Sequence, residues 1–194
     1  MRITTARATF AAVSLADAEV LVSGGDTSPC SPLTGAERYD PTTGAWTATG
    51  PLNVARGNHV MVTLANGDVL AAGGIASTCI SLASAELYHP NTSTWTVTAP
   101  MNAAGYNLTA TLLPSGNVLV TGQGPGNDGE VFHPAPGKWT NTGPMAVLGN
   151  NASAVLLGSG KVLVTGGGTA TAQIYDPPSN AWSATGGIGN PSRR

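Results

Sequence analysis

Three histidines, two cysteines and a handful of carboxylates are the residues of this chain that could do chemistry. His59, His89 and His133 would carry protons or hold a metal if they converged. His89 and His133 each precede a proline, at a position that Asp40 and Asp176 hold in similar stretches elsewhere. They read as replacements for a turn-forming residue. His59 aligns with Phe10, Leu108 and Ala152, an apolar column that suits a core or channel-lining histidine. Glu37, Glu86, Glu130 and Gln173 form a second aligned set. Catalysis needs distinct groups at one place, so a repeated column points to structural hydrogen bonding. The segment GNDGE, from Gly126 to Glu130, has a calcium-loop flavour but lacks the required spacing of oxygen ligands. Nothing resembles a Ser-His-Asp set, a phosphate-binding loop or a zinc ligand cluster. The chain reads as one without catalytic residues, bound metal or cofactor.

Composition narrows the class further. Of 194 residues only 9% are charged, against about 25% in an average soluble domain. Gly, Ser, Thr, Ala and Asn take up the difference and predict a polar, uncharged surface, common in secreted proteins and loop-rich β folds. The net charge is −2 and no Lys/Arg cluster exists, which argues against a nucleic-acid partner. No apolar run approaches the roughly 18 residues of a membrane-spanning helix. The first 18 residues make a passable signal peptide, but Ala8 to Leu15 also align with the first strand of a repeat.

That repeat organises the whole chain. Trp46, Trp95, Trp139 and Trp182 lie 49, 44 and 43 residues apart, each seven positions after Tyr39, Tyr88, Phe132 or Tyr175. Upstream, glycines recur at Gly24, Gly73, Gly122 and Gly166, closing the runs LVSGG, LAAGG, LVTGQ and LVTGG. Ile3, Leu52, Met101 and Met145 each stand 18 residues before the leucine of that run. Each copy reads as four short strands. Asn66-Gly67, Ser115-Gly116 and Ser159-Gly160 supply hairpin turns between the first and second, with Asp17-Ala18 a weaker choice in the first copy. The second strand is a continuous apolar run, as expected when both faces are covered. Asp-Pro or His-Pro opens the turn between the third and fourth. Four strands in about 45 residues describe a propeller blade.

A Gly-Gly ending the second strand, a Tyr ending the third and a Trp opening the fourth resemble the kelch repeat, and the resemblance covers almost all of the chain. It is similar to bacterial kelch-repeat proteins and to the propeller of galactose oxidase, and departs from the pattern at Gln123, where the second glycine is lost. The expected fold is all-β: a kelch-type β-propeller of four blades, each of four antiparallel strands, in an incomplete ring. Blades span about 1–50, 51–99, 100–143 and 144–187, with 188–194 a tail or the start of a further repeat. Eight of the ten aromatic residues then belong to a structural ladder, leaving Phe10 and Tyr106 outside it. The copper site of the oxidase would need two histidines, two tyrosines and a cysteine link, and this chain alone cannot assemble it.

The resemblance implies a non-enzymatic module that binds protein or carbohydrate partners on the face carrying the loops after the second strand. Those loops run from Asp26 to Leu33, Ile75 to Leu82, Pro125 to Asp128 and Gly168 to Thr171. Near the first strands of that face align Thr9, Asn58, Asn107 and Asn151, preceded by Ala8, Gly57, Tyr106 and Asn150, with Arg7 and Arg56 one column earlier. The candidate contacts are Tyr106, Arg7, Arg56, Asn58, Asn107 and Asn151. The competing reading has the asparagines satisfying backbone groups. Two alternatives stand beside the binding module: a fragment of a galactose oxidase-like enzyme with its catalytic residues on missing blades, and a structural spacer. Cys30 and Cys79 occupy equivalent loops of adjacent blades, so a loop-to-loop disulfide and an extracellular or cell-surface location are expected if the loops approach closely enough. Open terminal blades would favour self-association.

Overall fold

The computed structural model describes residues 3, 5–123, 129–146, 151–168 and 170–186. Among the described residues sixteen strands form four separate four-stranded antiparallel sheets, each built in chain order. The first blade is β1 (Ala11–Ser14), β2 (Val20–Ser23), β3 (Ala36–Asp40) and β4 (Ala45–Thr49). The second is β5 (Val60–Thr63), β6 (Val69–Ala72), β7 (Ala85–His89) and β8 (Thr94–Thr98). The third is β9 (Thr109–Leu112), β10 (Val118–Thr121), β11 (Glu130–His133) and β12 (Lys138–Asn141), and the fourth β13 (Ala152–Leu156), β14 (Val162–Gly166), β15 (Ala172–Asp176) and β16 (Ala181–Ala184). First strands of consecutive blades touch, β1 against β5, β5 against β9 and β9 against β13, so they line the inner edge of the arc. The first strand opens at Ala11 rather than at Ala8, because Ala8 instead bridges Asp26 and Thr9 turns left-handed.

The core lies between blades. Leu21 on the leading face of the first blade packs with Met61, Val69, Tyr88 and Trp95 on the trailing face of the second. The same pairing recurs with Leu70 against Val118, Phe132 and Trp139, and with Leu119 against Val162, Tyr175 and Trp182. Each Trp stacks at a tilt on the aromatic residue seven positions before it, with ring centroids 5.0–5.1 Å apart. In the second to fourth blades the indole N–H crosses to the preceding blade: Trp95 donates to the Gly50 carbonyl at 2.9 Å, Trp139 to the Ala99 carbonyl at 2.8 Å and Trp182 to Thr142 Oγ1 at 2.9 Å. Large apolar area and one satisfied polar tip explain why the position is Trp four times.

Glycine at the end of the second strand is a steric requirement in the first two blades, whereas Gly122 and Gly166 meet only ordinary contacts and owe their identity to φ of 99° and 93°. A Cβ on Gly24 would sit 2.3 Å from the Arg56 carbonyl oxygen, and one on Gly73 would sit 2.5 Å from that of Gly105. Neighbouring backbones pass too close for any side chain. Gln123 is tolerated in the third blade because it lies outside the left-handed region that Gly25, Gly74 and Gly167 adopt.

The hairpin turns separate good residue choices from a poor one. Gly67, Gly116 and Gly160 adopt φ of 89°, 84° and 81°, and Ala18 is held at 70° in the same place. An L-residue with a Cβ is strained there. Ala18→Gly is expected to stabilise the protein by about 0.5–1 kcal/mol, the relief of strain exceeding the added unfolded-state entropy. Urea unfolding checks it; an unchanged or lower midpoint would show that the turn carries no strain.

Candidate functional site

The face bearing the loops after the second strand is organised by backbone. Thr9, Asn58, Asn107 and Asn151 all stand in the left-handed region, with φ of 54°, 53°, 51° and 66°. Asparagine tolerates this conformation better than most residues with a Cβ. The conformation turns each amide toward the blade before it. Asn58 N–H donates to the Thr9 carbonyl at 2.9 Å, Asn107 N–H to the Asn58 carbonyl at 2.9 Å, and Asn151 N–H to the Asn107 carbonyl at 3.2 Å. Residue type in this column is therefore explained by main-chain geometry, and of its members Thr9 and Asn58 also line a cavity.

The two arginines face inward. Arg56 is fully buried; its guanidinium meets Glu86 Oε1 at 2.8 Å, the Gly73 carbonyl at 2.7 Å and the Ser84 carbonyl at 3.0 Å. Arg7 repeats this in the first blade, with Glu37 Oε1 at 2.9 Å and the Gly35 carbonyl at 2.7 Å. Both are braces across the ends of strands, which corrects their placement among the ligand contacts: a guanidinium enclosed in an ion pair and carbonyl bonds is not offered to a partner. The acidic column has the structural role. Glu86 accepts N–H bonds from Asn53 and Val54, Glu130 from Asn102 and Ala103, and Gln173 from Ala146. Burial opposes the charge on Glu86, yet bonds from Arg56 and Asn53 hold its carboxyl below the ordinary range.

Two loops rise from this face as a matched pair. In the first, Thr27 N–H bonds the Ser31 carbonyl; in the second, Ala76 N–H bonds the Ile80 carbonyl. Cys30 and Cys79, both left-handed, bring their Cα atoms to 5.1 Å and join in a disulfide. The equivalent loops thus lean together more closely than blade spacing alone suggests. Closing the 49-residue span contributes about 4 kcal/mol in the chain-entropy view. Beneath the staple lies a cavity of about 400 Å³ lined by Thr9, Asp26, Ser28, Cys30, Asn58 and Ile75. Thr9 Oγ1 donates to Asp26 Oδ2, while the buried Asp26 Oδ1 has no partner. Ile80, 65% exposed at the loop tip, and half-buried Tyr106 in the next blade are the apolar features of this surface. Sequence reading missed Asp26 and Ile80, because neither recurs in the other repeats. The loop Pro125 to Asp128, with the GNDGE segment up to Asp128, and Asn150 lie outside the described residues.

The histidines are structural. His89 Nδ1 lies 3.0 Å from Asp68 Oδ1 and Nε2 2.8 Å from Thr96 Oγ1; His133 Nε2 lies 2.9 Å from Thr140 Oγ1. His59 is buried between the first two blades, its Nε2 3.1 Å from Ser23 Oγ. The Ser23/His59 pair is replaced by Ala72/Leu108 at the next blade junction. Burial, reinforced by the Arg56 charge, lowers the His59 pKa to about 3.

A larger cavity, about 930 Å³, opens on the opposite face between the third and fourth blades. Leu113 and Val131 form its apolar floor, with His133, Asp176 and Asn180 around it and the exposed turn at Ser159 on its wall. Its size has a simple cause. The Val131 position holds Arg38 in the first blade, whose guanidinium binds Glu19 and Asp17 and reaches the Pro90 carbonyl of the second blade. Valine leaves that space open. Among the described residues no group of three or more His, Cys, Asp or Glu converges, and no helix is long and apolar enough to cross a membrane.

Four meanders arranged side by side, each ending its second strand on glycine and stacking Tyr or Phe on Trp, define a β-propeller arc. Residues 7–53 and 55–102 each match the family model described as the Kelch motif. The chain carries kelch motifs directly by sequence in its first two blades, and the other two share the same architecture, consistent with a kelch-repeat propeller. No curated protein matches it.

Acid stability follows from the buried groups. His59 has a folded pKa near 3, below its ordinary 6.5, so the unfolded chain takes up a proton that the folded one resists. Its contribution is complete above about pH 6.5 and declines as pH falls, by up to about 1.4 kcal/mol per unit. Glu86, lowered as well, adds loss in the same direction at lower pH. The double variant Ser23→Ala/His59→Leu, which copies the second junction, should show a flatter melting temperature between pH 6.5 and 5 than the parent. Parallel pH profiles for parent and variant would place His59 in a solvated site.

Proposed function

We propose that this arc is a non-enzymatic binding module that holds a protein partner on the face of the stapled loops. Kelch motifs are generally protein-interaction modules. The observation that carries the assignment to this face is the disulfide between equivalent loops of adjacent blades. It fixes two neighbouring loops over a mostly apolar cavity with Thr9, Asp26 and Asn58 in its lining, so little ordering cost remains for association. Ile80 supplies an exposed apolar anchor, and Tyr106 offers a flat ring with one hydroxyl on the same face. Asn58 adds a polar contact at the cavity between them. Asn107 and Asn151 line the inner edge and contribute through position rather than through their amides. A disulfide and a weakly charged surface suit an oxidising, extracellular setting, as on a cell surface. A carbohydrate is the second reading, favoured by the Asp26 carboxylate and Thr9 hydroxyl in the lining of the small cavity.

Tyr106→Ala and Ile80→Asp are each expected to weaken partner binding roughly 10-fold to 100-fold, the scale of interface hot spots, with melting temperature nearly unchanged. Ser159→Trp, at an exposed turn beside the opposite groove, should leave binding intact. Biolayer interferometry against any isolated partner reads all three. The reverse pattern would move the site to the groove between the third and fourth blades. A glycan array responding to Tyr106→Ala, with no protein bound, would make the ligand a sugar.

A further inference from the structure

One column of the repeat sets how much room each blade junction leaves on the face opposite the stapled loops. At the first junction Arg38 fills it. Its guanidinium binds Asp17 and Glu19, the latter at 2.6 Å, and reaches the Pro90 carbonyl of the second blade at 3.4 Å. About 230 Å³ remains beside it. Leu87 holds the equivalent place at the second junction, where the cavity between neighbouring turns is about 410 Å³. Val131 holds it at the third, and the space grows to about 930 Å³. The shorter side chain empties a slot that, two blades earlier, is filled by a guanidinium.

The lining keeps the features such a group needs. Leu113 and Val131 floor the groove with apolar surface, on which the methylene stem of an arginine can lie. The acidic partners of Arg38 are gone from the turn, since Ser115 and Asn117 stand where Asp17 and Glu19 do. The charge comes instead from the facing blade. Asp176 is the one carboxylate among the described residues of the lining, and no Lys or Arg is among them. Lys161 reaches Asp176 Oδ2 from outside the groove at 3.3 Å, in a pair that solvent reaches on both sides and that is therefore weak. A carboxylate over an apolar floor fits the weakly hydrated, planar guanidinium better than a compact, strongly hydrated ammonium. The volume is near the upper end for a drug-sized ligand, so the residues flanking an arginine fit as well as its side chain. We infer that this groove binds an arginine on an extended segment of a protein partner, its guanidinium between Asp176 and Asn117, in the place that Arg38 takes at the first junction. The site lies on the face opposite the stapled loops and is independent of any partner held there.

Amide-shift titration of the isotope-labelled intact chain with the peptide acetyl-Ala-Ala-Arg-Ala-Ala-amide tests the inference. Binding should move the Asn117, Val131 and Asp176 amides. The same peptide with lysine or citrulline in place of arginine should bind roughly 10-fold more weakly. Asp176→Asn should weaken the arginine peptide roughly 3-fold to 10-fold with the fold unchanged by circular dichroism. The triple variant Ser115→Asp/Asn117→Glu/Val131→Arg, which rebuilds the first junction, should abolish binding by supplying its own guanidinium. No binding at millimolar peptide would overturn the site. Equal binding of the lysine or citrulline peptide, or indifference to Asp176→Asn, would overturn recognition of a guanidinium there. Free arginine bound as tightly as the peptide would overturn the assignment to a protein segment.

Discussion

The arrangement depends on a main-chain constraint at the inner edge of the arc. One residue before each first strand turns left-handed and donates its N–H to the same residue of the preceding blade, through Asn58, Asn107 and Asn151. This relay sets the spacing of blades before any side chain packs. The glycine pairs of the first two blades then become obligatory: Gly25 N–H bonds the Arg56 carbonyl at 3.0 Å and Gly74 N–H the Gly105 carbonyl at 2.8 Å, and a Cβ on Gly24 or Gly73 would strike those same carbonyls. The aromatic ladder fills the wider gap farther out, where spacing grows with distance from the axis.

Once the blades are registered in this way, equivalent positions can vary, and the variation is where individual character lies. At the first junction a serine and a histidine occupy space that alanine and leucine fill at the second. Arginine plugs the first groove, while valine leaves the last one open. A buried polar pair and an open groove are both affordable because the relay and the ladder hold the frame independently of them. Arg7 and Arg56 belong to this frame in the first two blades; the third has Gly105 at that position, with Glu130 held by the Asn102 and Ala103 backbone amides and the Asn102 side-chain amide.

Much of the fold was legible because repetition averages out local ambiguity. Any one copy of the glycine, tyrosine and tryptophan pattern is weak, but four in phase determine strand number, turns and core. The acidic column was also readable, since three glutamates and a glutamine at four separated places cannot form one catalytic centre. What could not be read was direction and distance. Arg7 and Arg56 align beside Tyr106, and nothing in the alignment says that the guanidinium groups turn inward to Glu37 and Glu86. The asparagine column carried two readings, and backbone dihedral angles, invisible in sequence, supplied the structural one. Whether Cys30 could reach Cys79 depended on how far two loops lean. Asp26 and Ile80 had no echo in other repeats, so a method built on recurrence passed over them.

Amide hydrogen exchange tests the relay most directly. The Asn58 and Asn107 amides sit just outside the strands, where loop amides ordinarily exchange fast, yet each is held by the blade before it. Their protection should equal that of core strand amides such as Leu70 and Leu119, set by global unfolding. Exchange of Asn58 and Asn107 as fast as at the loop residues Ser28 and Thr78 would show that the blades are not registered through this bond, and the account of the fold would fail at its foundation.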